Sequence, residues 1–387
     1  MSGKKPKSAG FEPWPGWTEA GFMTLKREIS RKIPLFCGFT DALAIIVPDF
    51  ARMGRIPLPE ELLFFDLETT GLSGGAGTVA FLAAFGRISV RSDELEITQY
   101  LLLDYPGECD FIEKAAEEFA GNNAPVVVSY NGKAFDSQIF NNRCLMNGVR
   151  TPGYFHADLL HPSRRLWKNV LPNCSQSTIE VSILGLDRTG DISGAFAPDI
   201  WFSFLRNGDN SDLIKVCRHN EKDIFGLARL FLALAEIAED PVKCCKKFNF
   251  DEETLAISWD RALRTYPFDF RGREKETAEN LLENAARKGY KQAAYNLAVN
   301  YFKNNRSKEG RLLMRKIAEE GDSGSDSGLR AAALKALAID AEWRLRDSKL
   351  ALVYTNRALA LGGLGEHHQT EMTKRLSRLE KKTGGNR

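Results

Sequence analysis

Little in this chain suits cross-linking or burial in a bilayer. Its seven cysteines are an odd number with no CxxC spacing and no nearby histidine pair, so neither a disulfide framework nor a zinc site is indicated. No stretch approaches the roughly 20 continuous apolar residues of a membrane span. The opening MSGKKPKSAGFEPWPGW is basic without the apolar core of a signal peptide. The expected setting is reducing, soluble and cytoplasmic, with no membrane partner. GLSGGAG is rich in glycine but lacks the GK[ST] ending of a phosphate loop, and it falls between two expected strands. Nucleotide binding is therefore not indicated. Net charge is also small, at +2 over 387 residues.

The charge is unevenly divided. Residues 271–387 hold 24 Lys+Arg against 15 Asp+Glu, which leaves 29 against 36 for residues 1–270. An acidic half is expected where several carboxylates await a cation, and a basic half can attract a phosphate backbone. Solvated lysine and arginine faces on helices explain the basic half equally well. A length of 387 residues with 43% hydrophobic content predicts two domains, each with a substantial core.

Acidic residues stand out in three patches: Asp66 and Glu68 in FFDLETTGL, Asp136 in NGKAFDSQIF, and Asp223 in HNEKDIFGL. Leu62 to Phe65 form an apolar run that reads as a buried strand, and alternation puts Asp66 and Glu68 on one face. Two anions there need a compensating partner, and a hard cation such as Mg²⁺ or Mn²⁺ answers best. In LIKVCRHNEKDIFGLARLFLALAEIA the apolar positions recur at helical spacing, so His219 and Asp223 share one side of a helix. A histidine beside such a ligand is placed to take the proton of an attacking water. APVVVSYNGKAFDSQIF reads as a strand from Val126 to Tyr130, a turn at Asn131 and Gly132, and a helix starting near Phe135. That leaves Asp136 in the first turn of this helix, where the helix dipole by itself also favours an acid.

These residues resemble the DEDD exonucleases of the ribonuclease H-like superfamily, whose motifs supply Asp and Glu, then Asp, then Asp with a nearby Tyr or His. More narrowly, DLETTGLSGGAGTVAFLAAFGR, DLLHPSRRLWKNVLPNCSQSTIEVSILGLDR, GDISGAFAPDIW and HNEKDIFGLARL are similar to the YprB-like branch. This branch joins a ribonuclease H-like domain to C-terminal tetratricopeptide-like helices. The resemblance covers roughly residues 55–240. It implies that Asp66 bridges two metal ions, that Glu68 and Asp223 complete the site that activates water, and that Asp136 supports the second ion. It also implies His219 as the general base. The histidine-bearing subgroup separates this His and Asp by five positions; here the separation is four, as in the tyrosine-bearing subgroup. His219 thus occupies a tyrosine-like slot, and its alternative office is to orient the water or a phosphate oxygen.

The expected fold is an α/β ribonuclease H-like domain, a mixed sheet flanked by helices, followed by an all-α helical-repeat domain. Its divisions are a mobile tail at 1–20, in which Trp14 and Trp17 can dock on a neighbouring surface, a lead at 21–55, and the exonuclease domain at 56–240. A linker at 241–270 and helical repeats at 271–387 follow. The repeats read as about three helix pairs, interrupted by GDSGSDSG and ending in a shorter helix. Asp158, His156 and His161 are read as capping or hydrogen-bonding residues more than as ligands. Arg164, Arg165, Lys168 and Lys133 are candidates for gripping phosphates, or else parts of a solvated face. Phe135, Trp167 and Trp201 are either core or platforms for unpaired bases.

The function expected is that of a metal-dependent 3′–5′ exonuclease that hydrolyses phosphodiester bonds at a single-stranded DNA or RNA end by a two-metal mechanism. A protein partner is expected on the C-terminal helices. The alternative is a nucleic-acid-binding adaptor whose ribonuclease H-like domain turns over little or nothing.

Overall fold

In the computed structural model, residues 14–34, 39–71, 77–120, 125–266, 270, 272–319 and 326–384 are described. Positions 72–76 of the glycine-rich segment and 321–325 of GDSGSDSG lie outside them, as do residues 1–13 of the N-terminal stretch.

Among the described residues, the strands are β1 (Thr18–Gly21), β2 (Thr24–Lys32), β3 (Leu62–Thr69), β4 (Ala80–Ser89), β5 (Glu94–Leu102), β6 (Val126–Ser129) and β7 (Phe155–Asp158). They form one sheet in the order β1-β2-β5-β4-β3-β6-β7. The pairs β3–β4, β4–β5, β2–β5 and β1–β2 are antiparallel, whereas β3–β6 and β6–β7 are parallel, so the sheet is mixed. β3 lies inside it, which is why its run reads apolar on both faces: Leu62, Leu63, Phe64 and Phe65 are all buried. Asp66 pairs with Ala84 and Glu68 with Leu82, and the register shifts between Glu68 and Thr69 as the strand leaves the sheet.

The helices of this part are α1 (Leu43–Ile46), α2 (Pro48–Met53), α3 (Glu108–Glu117), α4 (Asp136–Met146), α5 (Leu160–Trp167), α6 (Gln176–Ser182), α7 (Ala197–Asn207), α8 (Ser211–Glu239) and α9 (Pro241–Phe248). The long helix α8 packs on β3, β4 and β5. A Cβ at Gly86 of β4 would come within 2.7 Å of Ile224 on α8, so glycine permits this close approach.

Three strands escape the pattern reading: β1, β2 and β7. The first two are short or charged, and β7 reads FHAD, with no alternation to mark it. Trp14 and Trp17 are docked, each 7% exposed, with Trp14 edge-on to Phe204 at 5.7 Å. Trp167 and Trp201 are core residues, each 0% exposed. Their indole N–H groups donate to the carbonyls of Phe248 and Leu102, which removes them as stacking platforms. Phe135 packs partly buried against the same core.

A second compact unit comprises residues 252–264 and 271–387. It is all helical: α10 (Glu252–Thr265, its last residue outside the unit), α11 (Gly272–Arg287), α12 (Lys291–Lys303), α13 (Ser307–Glu319), α14 (Ser327–Trp343), α15 (Ser348–Leu361) and α16 (Glu366–Gly384). From α11 on, each helix packs on the next. The expectation of a shorter final helix is corrected, since α16 runs for 19 residues; few of its positions are apolar, so periodicity understates its length. Part of the basic surplus is committed within this unit. Arg311 and Arg344 pair with buried Asp340, and Arg375 and Arg378 with buried Glu342. No described helix is long and apolar enough to cross a membrane.

Candidate active site

β3 delivers Asp66 and Glu68 from one face, as alternation requires. Helix α8 delivers His219, Asn220 and Asp223 toward the same place, since Cys217, Asn220, Ile224 and Leu227 are its buried, sheet-facing positions. Buried Gln99 on β5 donates to the Cys217 carbonyl at 2.8 Å and to Asn220 Oδ1 at 2.9 Å. With its oxygen thus occupied, Asn220 turns its Nδ2 to Asp66 Oδ2 at 2.7 Å.

Asp136 enters from α4 behind the Asn131–Gly132 turn. Asn131 has φ +65°. Asp158 accepts from the N–H groups of Asn131, Lys133 and Leu160 at 2.8, 3.2 and 3.0 Å, so it braces the turn instead of joining the site. A Cβ at Gly132 would meet Ser129 Oγ at 2.5 Å and Asp136 Oδ2 at 3.0 Å, which explains the glycine. His156 lies behind, bonded to Ser129 Oγ and Ser137 Oγ at 2.7 and 3.1 Å, and burial depresses it to about 4, so it stays neutral. His161 and Arg164 are exposed, Arg165 donates to the Ile45 carbonyl, and Lys133 pairs with Asp49 at 2.6 Å.

The structure therefore brings together the acidic residues of the three patches. Burial, then the charges of Asp136, Asp223 and Glu68, hold the Asp66 carboxyl well above its ordinary range. Glu68 is raised in the same way by burial and by Asp223, Asp136 and Asp191. Burial pushes Asp136 up to about 7, with the charge of Asp158 adding to it. Ligand atoms of Glu68, His219 and Asp223 all lie within 4.8 Å of one another, with His219 Nε2 at 3.2 Å from Asp223 Oδ2.

Four further groups complete the arrangement and were not singled out by spacing: Asn220, Glu180, Arg188 and Asp191. Arg188 reaches Asp223 Oδ1 at 2.5 Å, Asp191 Oδ2 at 2.7 Å and Glu180 Oε2 at 2.6 Å. Asp191 accepts from His219 Nδ1 at 3.0 Å. Glu180 is fully buried and also takes a bond from Gln176, which spans to the Asp223 carbonyl. One signal pointed there. Gly226 sits inside a strongly apolar helix, and such a glycine marks close approach; a Cβ at this position would lie 1.7 Å from Glu180 Oε1. Gly226→Ala is therefore expected to destabilise the fold by about 1–3 kcal/mol, read in denaturant melts, because either Glu180 or α8 must move.

Six carboxylates meet here, and among the described residues Arg188 and Lys222 are the cations that contact them. A cluster rich in carboxylate oxygens with surplus negative charge fits a hard divalent cation, and Glu68, His219 and Asp223 are close enough together to share one.

Comparison with known proteins agrees with the fold. A family model described as RNase_H superfamily matches residues 63–235. The YprB protein of Bacillus subtilis (strain 168) is 30% identical over 329 residues, 83% of this chain and 75% of its own length. The chain belongs to the YprB family of ribonuclease H-like proteins. Its matched segment runs from β3 into α8 and so holds every acidic residue of the site. The all-helical unit of this YprB-family chain lies C-terminal to that segment.

Proposed function

We propose that this YprB-family protein is a metal-dependent nuclease of the DEDD type, a 3′–5′ exonuclease acting on phosphodiester bonds of DNA or RNA. The observation that carries the reading is the convergence on Asp66 of carboxylates from β3, α4 and α8, whose charges, after burial, raise the proton affinity of Asp66. Asp66, Glu68, Asp136 and Asp223 would hold two Mg²⁺ or Mn²⁺ ions. When bound, such ions neutralise charge on the scissile phosphate and acidify water. His219 Nε2 accepts the proton of the attacking water, since its other nitrogen is engaged by Asp191. Asn220 keeps Asp66 oriented. The C-terminal helices, each packed on the next, support a tetratricopeptide-like stack that takes a protein partner. Cys144, Cys217 and Cys244 are buried free thiols, in keeping with a reducing, cytoplasmic setting.

The test is a panel of end-labelled single-stranded and duplex DNA and RNA, with Mg²⁺ and Mn²⁺, comparing the full chain with Asp66→Asn and Asp223→Asn. Stepwise shortening from the 3′ end that needs a divalent ion and is lost in both variants is expected. Activity kept by both variants would move the site elsewhere, and no turnover on any substrate would favour a nucleic-acid-binding adaptor. His219→Ala should lower the chemical step by about 10²–10⁴-fold while leaving Mn²⁺ affinity by calorimetry near that of the wild type. Unchanged turnover would remove His219 as the base.

A further inference from the structure

His219 is the reacting base in the reading above, and an imidazole can serve only if one nitrogen is a free acceptor aimed at the water. In solution the neutral ring has two tautomers, and which nitrogen keeps the proton is set by the bond the other makes. Here Nδ1 lies 3.0 Å from Asp191 Oδ2. Nε2 also stands near a carboxylate oxygen, of Asp223, but among the described residues only the Nδ1–Asp191 contact has hydrogen-bond geometry; a carboxylate oxygen can only accept, so Nδ1 carries the hydrogen and Nε2 keeps its lone pair. That lone pair faces the acidic cluster, 3.2 Å from Asp223 Oδ2 and packed against Gly194, where a Cβ would stand 3.3 Å from Nε2.

Asp191 is itself held. Arg188 Nη1 donates to the same Oδ2 at 2.7 Å, while Nη2 of that guanidinium reaches Asp223 Oδ1 at 2.5 Å. Its Nε is fixed at 2.6 Å by Glu180, which is 0% exposed and pressed against Gly226. One rigid fork thus spans the residue behind His219 and the residue in front of it. A lysine, as a single point charge, could not span both.

We propose that Asp191 is the positioning residue for His219, fixing the Nδ1–H tautomer and aiming Nε2 at the attacking water, with Arg188 aligning Asp191 to Asp223. The inference rests on the nuclease reading for its catalytic consequence and on geometry alone for the tautomer. In the step it serves, the O–H bond of water breaks as a bond to Nε2 forms. The positive charge on the ring then sits beside the Asp191 carboxylate, in the relation that a buried acid bears to the base of a hydrolytic triad.

The test observes the metal-free full chain, labelled with ¹⁵N-histidine, by long-range proton–nitrogen correlation, with His219→Gln to assign the signal. At a pH where the ring is neutral, the wild type should show the Nδ1–H form at His219. Asp191→Ala should shift it to the commoner Nε2–H form and lower kcat by about 10²-fold or more, with KM little changed. Because one oxygen of Asp191 serves both Arg188 and His219, Asp191→Asn should turn its amide oxygen to them, keep the tautomer and restore part of the rate. A wild-type ring carrying its proton on Nε2, or an Asp191→Ala ring unchanged in tautomer, overturns the proposal. The tautomer is read without turnover. A correct tautomer in a protein that hydrolyses nothing would defeat the nuclease reading and leave the Asp191 assignment standing.

Discussion

Asp66→Asn is expected to abolish hydrolysis and at the same time to raise the melting temperature of the metal-free protein. The two effects share one cause. Asp66 lies between β4 and α8 and faces Asp136, Asp223 and Glu68, so its anion stands largely out of water beside other anions, with Asn220 the hydrogen-bond donor to it among the described residues. Folding without metal must either protonate that carboxyl or bear the repulsion, and both oppose stability. An asparagine keeps the shape, offers its oxygen to Asn220 Nδ2 and turns an amide N–H₂ toward the remaining carboxylates. Each kcal/mol relieved should lift Tm by about 2–4 °C for a domain of this size. The same change removes a proposed metal ligand, so turnover should fall by roughly 10³-fold or more, the scale of losing one preorganised electrostatic contributor to the transition state. Calorimetry and a thermal melt in chelator check both signs. A variant that is inactive but less stable than the wild type would mean that Asp66 already has a compensating partner in the metal-free fold.

The second large effect is a reversal of pH dependence on metal loading. Asp136 is raised from an ordinary carboxyl value to about 7 by burial, and Asp66 and Glu68 are also raised well above theirs, by burial and by their neighbours. A group whose folded value lies above its unfolded one contributes stability that is fully present below the unfolded value. That stability is lost as pH rises through the folded value. The unfolded chain releases these protons near pH 4, while the folded chain holds the Asp136 proton up to about 7 and holds those of Asp66 and Glu68 well above the ordinary carboxyl range. The metal-free protein should therefore lose stability from about pH 4 through about pH 7, from these groups. If the site holds the proposed ions, saturating Mn²⁺ or Mg²⁺ should bind its deprotonated folded form, stabilise it by mass action and release protons. The Tm increment on adding metal should accordingly grow with pH. Melts with and without Mn²⁺ across this window, from about pH 4 to about pH 7, test this; an increment that stays flat would dissociate these carboxylates from the metal. Asp136→Asn should flatten the lower part of the metal-free profile.

Much of this was legible in one dimension. The run Leu62–Phe65 read as a buried strand because both faces of an interior strand are covered, and β3 occupies an interior position of the sheet. The four-residue step from His219 to Asp223 read as one side of a helix, and the two groups are 3.2 Å apart. Asn131 and Gly132 read as a turn, and Asn131 adopts the left-handed backbone that asparagine tolerates. The groups around Arg188 were not legible in this way. LGLDRTGDISG has no periodicity, so nothing local distinguishes Arg188 and Asp191 from solvated loop charges, and Glu180 reads as one more acid on a short helix. Asn220 was hidden between two louder neighbours, His219 and Glu221, because amides carry no charge to notice. Strand β7 was missed because a four-residue parallel strand owes its existence to pairing with β6 more than to its own residues.

The order and types of the acidic residues, the strand and helix that carry them, and the division into a mixed α/β part and an all-helical part were determined by the sequence itself. Alternation and helical spacing are properties of neighbours along the chain, and they were sufficient for these. Which anions face one another, which cation stands among them and which nitrogen of His219 is free were decided by the tertiary structure alone. Those depend on distances between β3, α4, α6, α8 and the loop at residues 183–193, segments far apart along the polymer. Electrostatic energy falls with separation in space and takes no account of separation in sequence.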